Sequence, residues 1–258
     1  MTEIMTIFIA AHKPVVFPKD ELYTPIHVGA ANAGAPVPLA ISDATGEHLS
    51  TKNPYYNELT AVYWAWKNCN ADIVGLVHYR RFFTLTGKKK LDAILTEDQL
   101  KERLMTCDIL VPTKRRYWIE SNVSHYCHAH HREPLDILRE VIAEQQPTAL
   151  AAFDVVMKRT WAHMFNMFIM RQPYFEQYCA WLFPLLAKVE ERIQADIVHW
   201  TPYEQRVYGF LSELLLDVWL EAHHYDYHEL PFVFMERQNW LMKGGRFIAR
   251  KLGFCRQQ

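Results

Sequence analysis

The stretch that decides the fold is Asp72-Ile73-Val74-Gly75-Leu76-Val77-His78-Tyr79-Arg80-Arg81-Phe82-Phe83. The apolar run 73–77 is short, rich in β-branched residues and free of charge, which predicts a strand buried on both faces of a parallel sheet. A histidine, a tyrosine and two arginines follow it directly. Because open α/β sheets bind ligands beyond the carboxyl ends of their strands, we expect these four side chains at a ligand site.

The paired arginines, Arg80 and Arg81, indicate an anionic ligand. A guanidinium group matches the geometry of a phosphate and stays charged throughout the physiological pH range, so the pair suits a phosphorylated molecule. The alternative is that both arginines solvate a strand end or pair with a helix carboxylate. These residues alone leave both interpretations open.

The composition is that of a globular protein. The chain of 258 residues is 50% hydrophobic and 22% charged, and its net charge of −1 gives no general argument for nucleic-acid binding. Five cysteines without a Cys-x-x-Cys pair favour reduced thiols and a cytoplasmic location. The apolar stretch 4–11 is too short for a signal peptide or a membrane span, and it predicts a first buried strand.

The rest of the pattern alternates between strands and helices. A helix that opens after Asn53-Pro54, with Asn57 as its cap, leads into strand 73–77. Residues 108–112 and 166–170 are further strand candidates, and long helical patterns follow. We therefore predict an α/β fold with a mostly parallel central sheet, helices on both faces and a helical C-terminal part.

Residues 1–236 are expected to form one domain, because no repeat, low-complexity tract or Gly/Ser linker interrupts them. Residues 237–258 carry six cations, no acidic residue and interleaved aromatic and aliphatic side chains. Such a tail suits an anionic membrane surface, which predicts peripheral contact with the cytoplasmic face of the inner membrane. The alternative is that its apolar side chains pack on the core.

Several motifs together resemble the signature of one bacterial family. The two longest are Asn57-Glu58-Leu59-Thr60-Ala61-Val62-Tyr63-Trp64-Ala65-Trp66-Lys67-Asn68 and the segment 75–83. Shorter matches are His12-Lys13, Val28-Gly29-Ala30, 166–170 and 206–213. The family is known as domain of unknown function 4422. Its members occur in capsule, exopolysaccharide and lipopolysaccharide gene clusters and are regarded as glycosyltransferases.

The resemblance implies a single GT-A-like, Rossmann-related domain. It also implies transfer of a sugar from a nucleotide-sugar donor, expected to be UDP-linked, to an oligosaccharide or lipid-linked saccharide. Some relatives are linked to galactofuranose transfer, but the motifs leave the donor sugar open among galactofuranose, other hexoses and pentoses. A non-catalytic carbohydrate-binding protein is the alternative. The chain has no Asp-x-Asp motif, so we predict no metal ligands, and dependence on Mn²⁺ or Mg²⁺ stays open. It also lacks the glycine-rich loops Gly-x-x-x-x-Gly-Lys-Ser/Thr of P-loop enzymes and Gly-x-Gly-x-x-Gly of dinucleotide-binding oxidoreductases.

Glycosyl transfer releases a nucleoside diphosphate that carries new negative charge, so the leaving group needs cationic stabilisation. The first strand and the strand 73–77 supply polar side chains at their ends, where nucleotides dock in such folds. The predicted donor-binding and diphosphate-binding residues are His12, Lys13, Asp43, His78, Tyr79, Arg80 and Arg81.

Glu213 is the carboxylate that we favour for activating or holding the acceptor. Arg206 lies seven residues earlier on the same predicted helix face, and Gly209 between them leaves room for close approach. We therefore place Arg206 in the catalytic group as well. The alternative is an exposed helix carboxylate paired with a cation. Asp154 and Glu58 are rival bases.

The histidine-rich segment 121–131 could form a metal site, because His125 and His128 would share a helix face. A zinc site needs a third or fourth ligand, however, and the spacing of distant Cys and His residues supplies none. We predict instead that the segment borders the acceptor site. The predicted acceptor-binding residues are Glu58, His128 and Asn166.

Overall fold

A nine-stranded mixed sheet forms the centre of the protein, as seen in a computed structural model that describes residues 3–236. Its strand order is β10-β6-β9-β4-β1-β2-β3, and β5 joins β4 to β11. Strands β7 and β8 pair separately. The strands are β1 Met5–Ala11, β2 Tyr23–His27, β3 Ile41–Ser42, β4 Ile73–His78, β5 Arg81–Phe83, β6 Ile109–Pro112, β7 Arg115–Arg116, β8 Trp161–Ala162, β9 Phe168–Arg171, β10 His228–Leu230 and β11 Phe232–Phe234.

Most of the long strands run in one direction, as predicted. Strand β1 is parallel to β2 and β4, β2 is parallel to β3, and β6 is parallel to β10. Strand β9 runs antiparallel between β4 and β6. This reversal brings the residues that precede β9, including Asn166, to the same edge as the carboxyl ends of β1 and β4.

The helices vary from one turn to seven. They are α1 Asn53–Tyr56, α2 Leu59–Asn68, α3 Glu97–Leu104, α4 Asn122–Ala129, α5 Glu133–Gln145, α6 Leu150–Lys158, α7 Gln172–Ile197 and α8 Val207–His223. The predicted helix cap at Asn57 is wrong. Asn57 lies between α1 and α2 with φ 52°, and Glu58 occupies the cap position without a capping side-chain hydrogen bond.

The two faces of the sheet are covered unequally. Phe8 and Leu76 lie on the face that packs against α2 and against α4 to α8. Ile7 and Val77 lie on the opposite face, where α3 and the loop before it provide the cover. The predicted placement of helices on both faces is thus confirmed, although one face carries most of them.

Gly75 in the middle of β4 allows the neighbouring strands to pack closely. A Cβ atom at this position would lie 2.9 Å from Ile169 Cγ1 and 3.0 Å from Ile7 Cγ1. These two isoleucines therefore fill the space over β4 that a larger residue would require.

The predicted basic tail, 237–258, lies outside the described residues. Of the helices within 3–236, none combines the length and apolar character that a bilayer-spanning segment needs. The four cysteines in this part of the chain, Cys69, Cys107, Cys127 and Cys179, are free thiols.

Candidate active site at the carboxyl edge of the sheet

Two adjacent parallel strands deliver the predicted donor residues to one place. Strands β1 and β4 pair in register up to Ala10 and His78, so their carboxyl ends lie side by side. His12 and Lys13 follow β1, and Tyr79 and Arg80 follow β4. The structure therefore brings together the residues predicted from the ends of the two strands.

Tyr79 is the centre of this group. Its buried ring contacts His12 edge to face at 5.3 Å between ring centres. Lys13 Nζ and Arg80 Cζ each lie 5.2 Å from the ring centre, within the range of cation–π attraction. Both cations also approach Glu236, at 3.4 Å for Lys13 and 3.8 Å for Arg80. One aromatic ring thus positions two cations at the strand ends.

Arg81 lies in β5, where it pairs with Phe234 of β11. Its guanidinium carbon is 4.2 Å from the ring centre of Phe165 and 5.2 Å from that of Phe234. Burial, with Arg80 beside it, lowers the pKa of Arg81, while Glu213 and Glu58 oppose that shift. Within residues 3–236, the buried Nε atoms of both arginines have no hydrogen-bond partner, so the protein does not satisfy these two donors.

The histidines of the site are neutral. Burial, followed by the charges of Arg81 and Arg80, lowers the pKa of His78 to about 2. The backbone N–H of Arg80 donates to His78 Nδ1 at 3.4 Å, which agrees with an unprotonated nitrogen. Burial and Arg80 also lower the pKa of His12. The positive charge of the site therefore comes from arginine and lysine.

Glu213 is a carboxylate with a strongly raised pKa. Burial, strengthened by the nearby charge of Glu58, raises the pKa of Glu213 to about 7, although Arg81 and Arg206 favour its ionised form. These influences place Glu213 within electrostatic reach of both arginines. A carboxylate that titrates near neutral pH can accept a proton from a substrate and later release it.

Asn166 fixes one of the two carboxylates of this site, Glu58. Its amide nitrogen donates to Glu58 Oε1 at 3.0 Å and to the carbonyl of Gly209 at 3.1 Å, and its amide oxygen accepts from the Ser212 hydroxyl at 2.8 Å. Asn166 is buried and has φ 53°. It links the start of α2 to α8, so contact with an acceptor remains a prediction.

Arg206 is held by a residue that was not predicted to belong to the site. Its Nε donates to Asn57 Oδ1 at 2.7 Å. The approach of Asn57 to α8 depends on Gly209, because a Cβ there would lie 2.3 Å from Asn57 Nδ2. The predicted role of Gly209 in close approach is thus served by a side chain of the protein itself.

Two predicted site residues do not join the cluster. The fully buried carboxylate of Asp43 accepts hydrogen bonds from the backbone N–H groups of Gly29 and Ala30 and from the Ser50 hydroxyl, and so holds the loop after β2. Asp154 on α6 forms two hydrogen bonds with Arg139 of α5, at 2.7 and 2.8 Å. The packing of α6 on α5 explains why Asp154 faces that arginine.

His128 has a carboxylate partner. His125 and His128 each contact the buried Glu120 through Nδ1, at 3.1 and 3.0 Å. The ring of Tyr117 stacks on His125 at 4.0 Å, and Tyr117 has a pKa raised by burial and, further, by Glu213. Tyr117, which stacks on the histidine segment, thus lies within electrostatic reach of Glu213, and the predicted contact of His128 with the acceptor stays a prediction.

Sequence reasoning missed several residues that shape the site. Asn57 and Ser212 carried a signal, since they stand beside Glu58 and Glu213 in the matched motifs. Phe165, Phe234 and Glu236 lie outside those motifs.

No three His, Cys, Asp or Glu side chains between residues 3 and 236 come together as a metal site. The cluster offers the carboxylates of Glu58 and Glu213, and Glu58 is already bound by Asn166. These residues do not by themselves form a metal-binding set, so we derive no step through a metal. An open cavity of about 850 Å³ lies elsewhere, beside β10, and its lining includes Arg103, Lys114 and Glu229 but no residue of the cluster.

The sheet and its edge site define a GT-A-like α/β protein. The structure matches that of WbbM, described as a bifunctional glycosyltransferase in its apo form, with a TM-score of 0.83 and 27% sequence identity over 91% of this chain. The chain spans 46% of the length of that protein. It belongs to the family described as Domain of unknown function (DUF4422), whose model matches residues 6–224. A search of curated proteins found no match. The predicted family and fold are confirmed.

Proposed function

We propose that the protein is a glycosyltransferase that moves a sugar from a nucleoside diphosphate donor to a saccharide acceptor. The observation that carries this proposal is that Arg80, Arg81 and Arg206 all lie within electrostatic reach of His78, and that Arg81 and Arg206 also act on Glu213, whose pKa is about 7. Structural similarity to WbbM, a bifunctional glycosyltransferase, supports the same class of reaction.

The arginines act on the leaving group. When the bond between the anomeric carbon and the diphosphate breaks, negative charge grows on the departing phosphate oxygen. Arg80 and Lys13 already lie over the Tyr79 ring, and Arg81 lies against two phenylalanine rings that contact each other. Their charge is therefore in place before the reaction, which avoids reorganisation during the transfer.

Glu213 acts on the acceptor. As an acceptor hydroxyl bonds to the anomeric carbon, its proton must leave, and a carboxylate with a pKa of about 7 is suited to take it. The other role is to hold an acceptor hydroxyl without taking its proton. In Glu213→Gln, loss of the base lowers kcat at nearly constant KM, whereas loss of a holding contact mainly raises KM.

The substrates follow from the family resemblance. We propose a UDP-linked hexose, galactofuranose included, as the donor and an oligosaccharide or lipid-linked saccharide as the acceptor. Such a reaction belongs to cell-surface polysaccharide synthesis at the cytoplasmic face of the membrane. Glu58, which acts on the pKa of Glu213, and the segment of His128, which packs through His125 on Tyr117, are the proposed acceptor side.

The test begins with a thermal-shift panel of nucleotide sugars, with and without Mn²⁺, since a bound ligand raises the melting temperature by mass action. Turnover is then measured with the donor that binds. Arg80→Ala and Arg81→Ala should each lower kcat by about a hundredfold or more with the cooperative melt retained. Lys88→Ala, in an exposed loop, is the matched control.

Near-wild-type rates in both arginine variants would contradict the proposal. A protein that binds saccharides but releases no nucleoside diphosphate from any donor would be the non-catalytic carbohydrate-binding alternative.

A further inference from the structure

Two large apolar side chains project into solvent at the turn between β7 and α4. Trp118 is 80% exposed and Ile119 is 70% exposed. They are consecutive, so they form one apolar tip. Single exposed apolar residues are ordinary on protein surfaces, but an exposed tryptophan beside an exposed isoleucine is costly in water and suggests that the tip contacts something else.

The tip stands on a fixed base. Tyr117 is buried, its backbone N–H donates to the Thr160 carbonyl at 2.8 Å, and β7 pairs with β8 just before it. The Ile119 N–H donates to the Tyr117 carbonyl at 2.7 Å, which closes a three-residue turn around Trp118 at φ 64°. A bulky residue rarely adopts this conformation, so the fold accepts strain to present Trp118 outward.

The charges beside the tip are positive. Arg115 and Arg116 are exposed and immediately precede it. No carboxylate of residues 3–236 forms an ion pair with either arginine, and the guanidinium of Arg115 lies 5.5 Å from the Tyr117 ring centre. The adjacent acid, Glu120, is buried and bound by two histidines. The turn thus presents two exposed arginines beside the exposed Trp118 and Ile119, while Glu120, the adjacent acid, is buried.

We propose that the turn formed by residues 115–119 docks on an anionic lipid surface. Tryptophan prefers the boundary between headgroups and acyl chains, isoleucine enters the acyl region, and unpaired arginines bind lipid phosphates. Tyr117, at the base of this turn, lies within electrostatic reach of Glu213. Docking therefore holds the candidate active site next to the membrane. The inference stands apart from the proposed reaction and from the predicted basic tail.

The test is co-sedimentation of the full chain with phosphatidylcholine vesicles, with and without a quarter of phosphatidylglycerol. Replacing Arg115 and Arg116 by serine should weaken binding to the anionic vesicles by about thirtyfold, given the usual contribution of a surface cation. Trp118→Ser with Ile119→Ser should weaken it by about tenfold or more. Met105→Ser removes an apolar side chain that is 82% exposed at the end of α3, and it should leave binding unchanged.

Added salt should weaken binding of the native chain and have less effect on the arginine variant, because screening acts on the charges. Equal binding of the native chain and the Trp118/Ile119 variant would overturn the proposal, since the tail would then account for all the attachment. Loss of self-association in gel filtration, with vesicle binding unchanged, would also overturn it and would identify a second copy as the occupant.

Discussion

Replacing Glu213 by glutamine should reduce activity and, at the same time, stabilise the protein in a pH-dependent way. In the folded protein the pKa of Glu213 is about 7, against 4.5 for an ordinary glutamate. Between these values the folded chain holds a proton that the unfolded chain releases, so the free energy of unfolding of the native protein falls as pH rises. Glutamine cannot ionise, so the variant does not undergo this loss.

The magnitude follows from the two pKa values. Each pH unit between them is worth about 1.4 kcal/mol, so the variant should gain about 3 kcal/mol relative to the native protein once the pH exceeds about 7. Near pH 4.5 the gain should vanish. The activity should change in the opposite direction, with kcat lowered by about a hundredfold or more if Glu213 is the base. Native activity should rise with pH up to about 7.

Urea unfolding of both proteins across this pH range measures the gain, and nucleoside diphosphate release measures the rate. A matched variant is Glu191→Gln, on the exposed side of α7, which should show neither effect. A constant difference in stability at all pH values would refute the reasoning, because it would mean that Glu213 ionises at an ordinary pH in the folded state. A large loss of activity without any pH-dependent gain in stability would show that Glu213 matters for the reaction although its pKa in the folded protein is ordinary.

Three further perturbations test the surroundings of the site. Gly209→Ala should force Asn57 away from Arg206 and lower kcat by about tenfold, whereas Gly34→Ala, with nothing within 4 Å of the added Cβ, should leave kcat unchanged. Unchanged kcat in both variants would show that Gly209 does not support the site. On acidification from about pH 6.5 to 5, His78→Gln should lose about 2 kcal/mol less stability than the native protein, because in the native chain only the unfolded state binds a proton at His78 in this range. An equal shift of the urea midpoint in both proteins over this range would contradict the prediction. Asp43→Asn should cost about 2 to 4 kcal/mol in urea unfolding because it disturbs three hydrogen bonds, two of them buried; a raised KM for donor with normal stability would instead favour the predicted donor contact.

The sheet edge could be predicted because its signal is local. The run 73–77 is apolar, ends abruptly in His78 and arginines, and forms β4 with its carboxyl end at the site. An unbroken apolar run of that kind predicts burial on both faces, and the helix before it favours a parallel connection to the preceding strand. The strand at 166–170 was also detected, but its direction was not, because periodicity does not reveal whether a strand runs parallel or antiparallel.

The prediction was weaker where distant residues decide the outcome. Asp43 follows a strand in the manner of a ligand-binding residue, yet its oxygens bind Gly29, Ala30 and Ser50. Whether a carboxylate faces protein donors or a ligand depends on the loop around it, which no local pattern specifies. The raised pKa of Glu213 likewise depends on burial in the folded protein and then on Glu58, which lies far away in the chain.

The pairing of β5 with β11 has a consequence for synthesis of the protein. Arg81 emerges from the ribosome early, but Phe234, one of its two aromatic neighbours, is made more than a hundred residues later. Until β11 docks, one side of β5 is an unpaired strand edge open to other chains, and the guanidinium of Arg81 lacks its contact with the Phe234 ring. A nascent chain thus cannot hold this arginine in its final setting until almost all of the described fold has been translated, so premature termination before Phe232 should yield an aggregation-prone, inactive product.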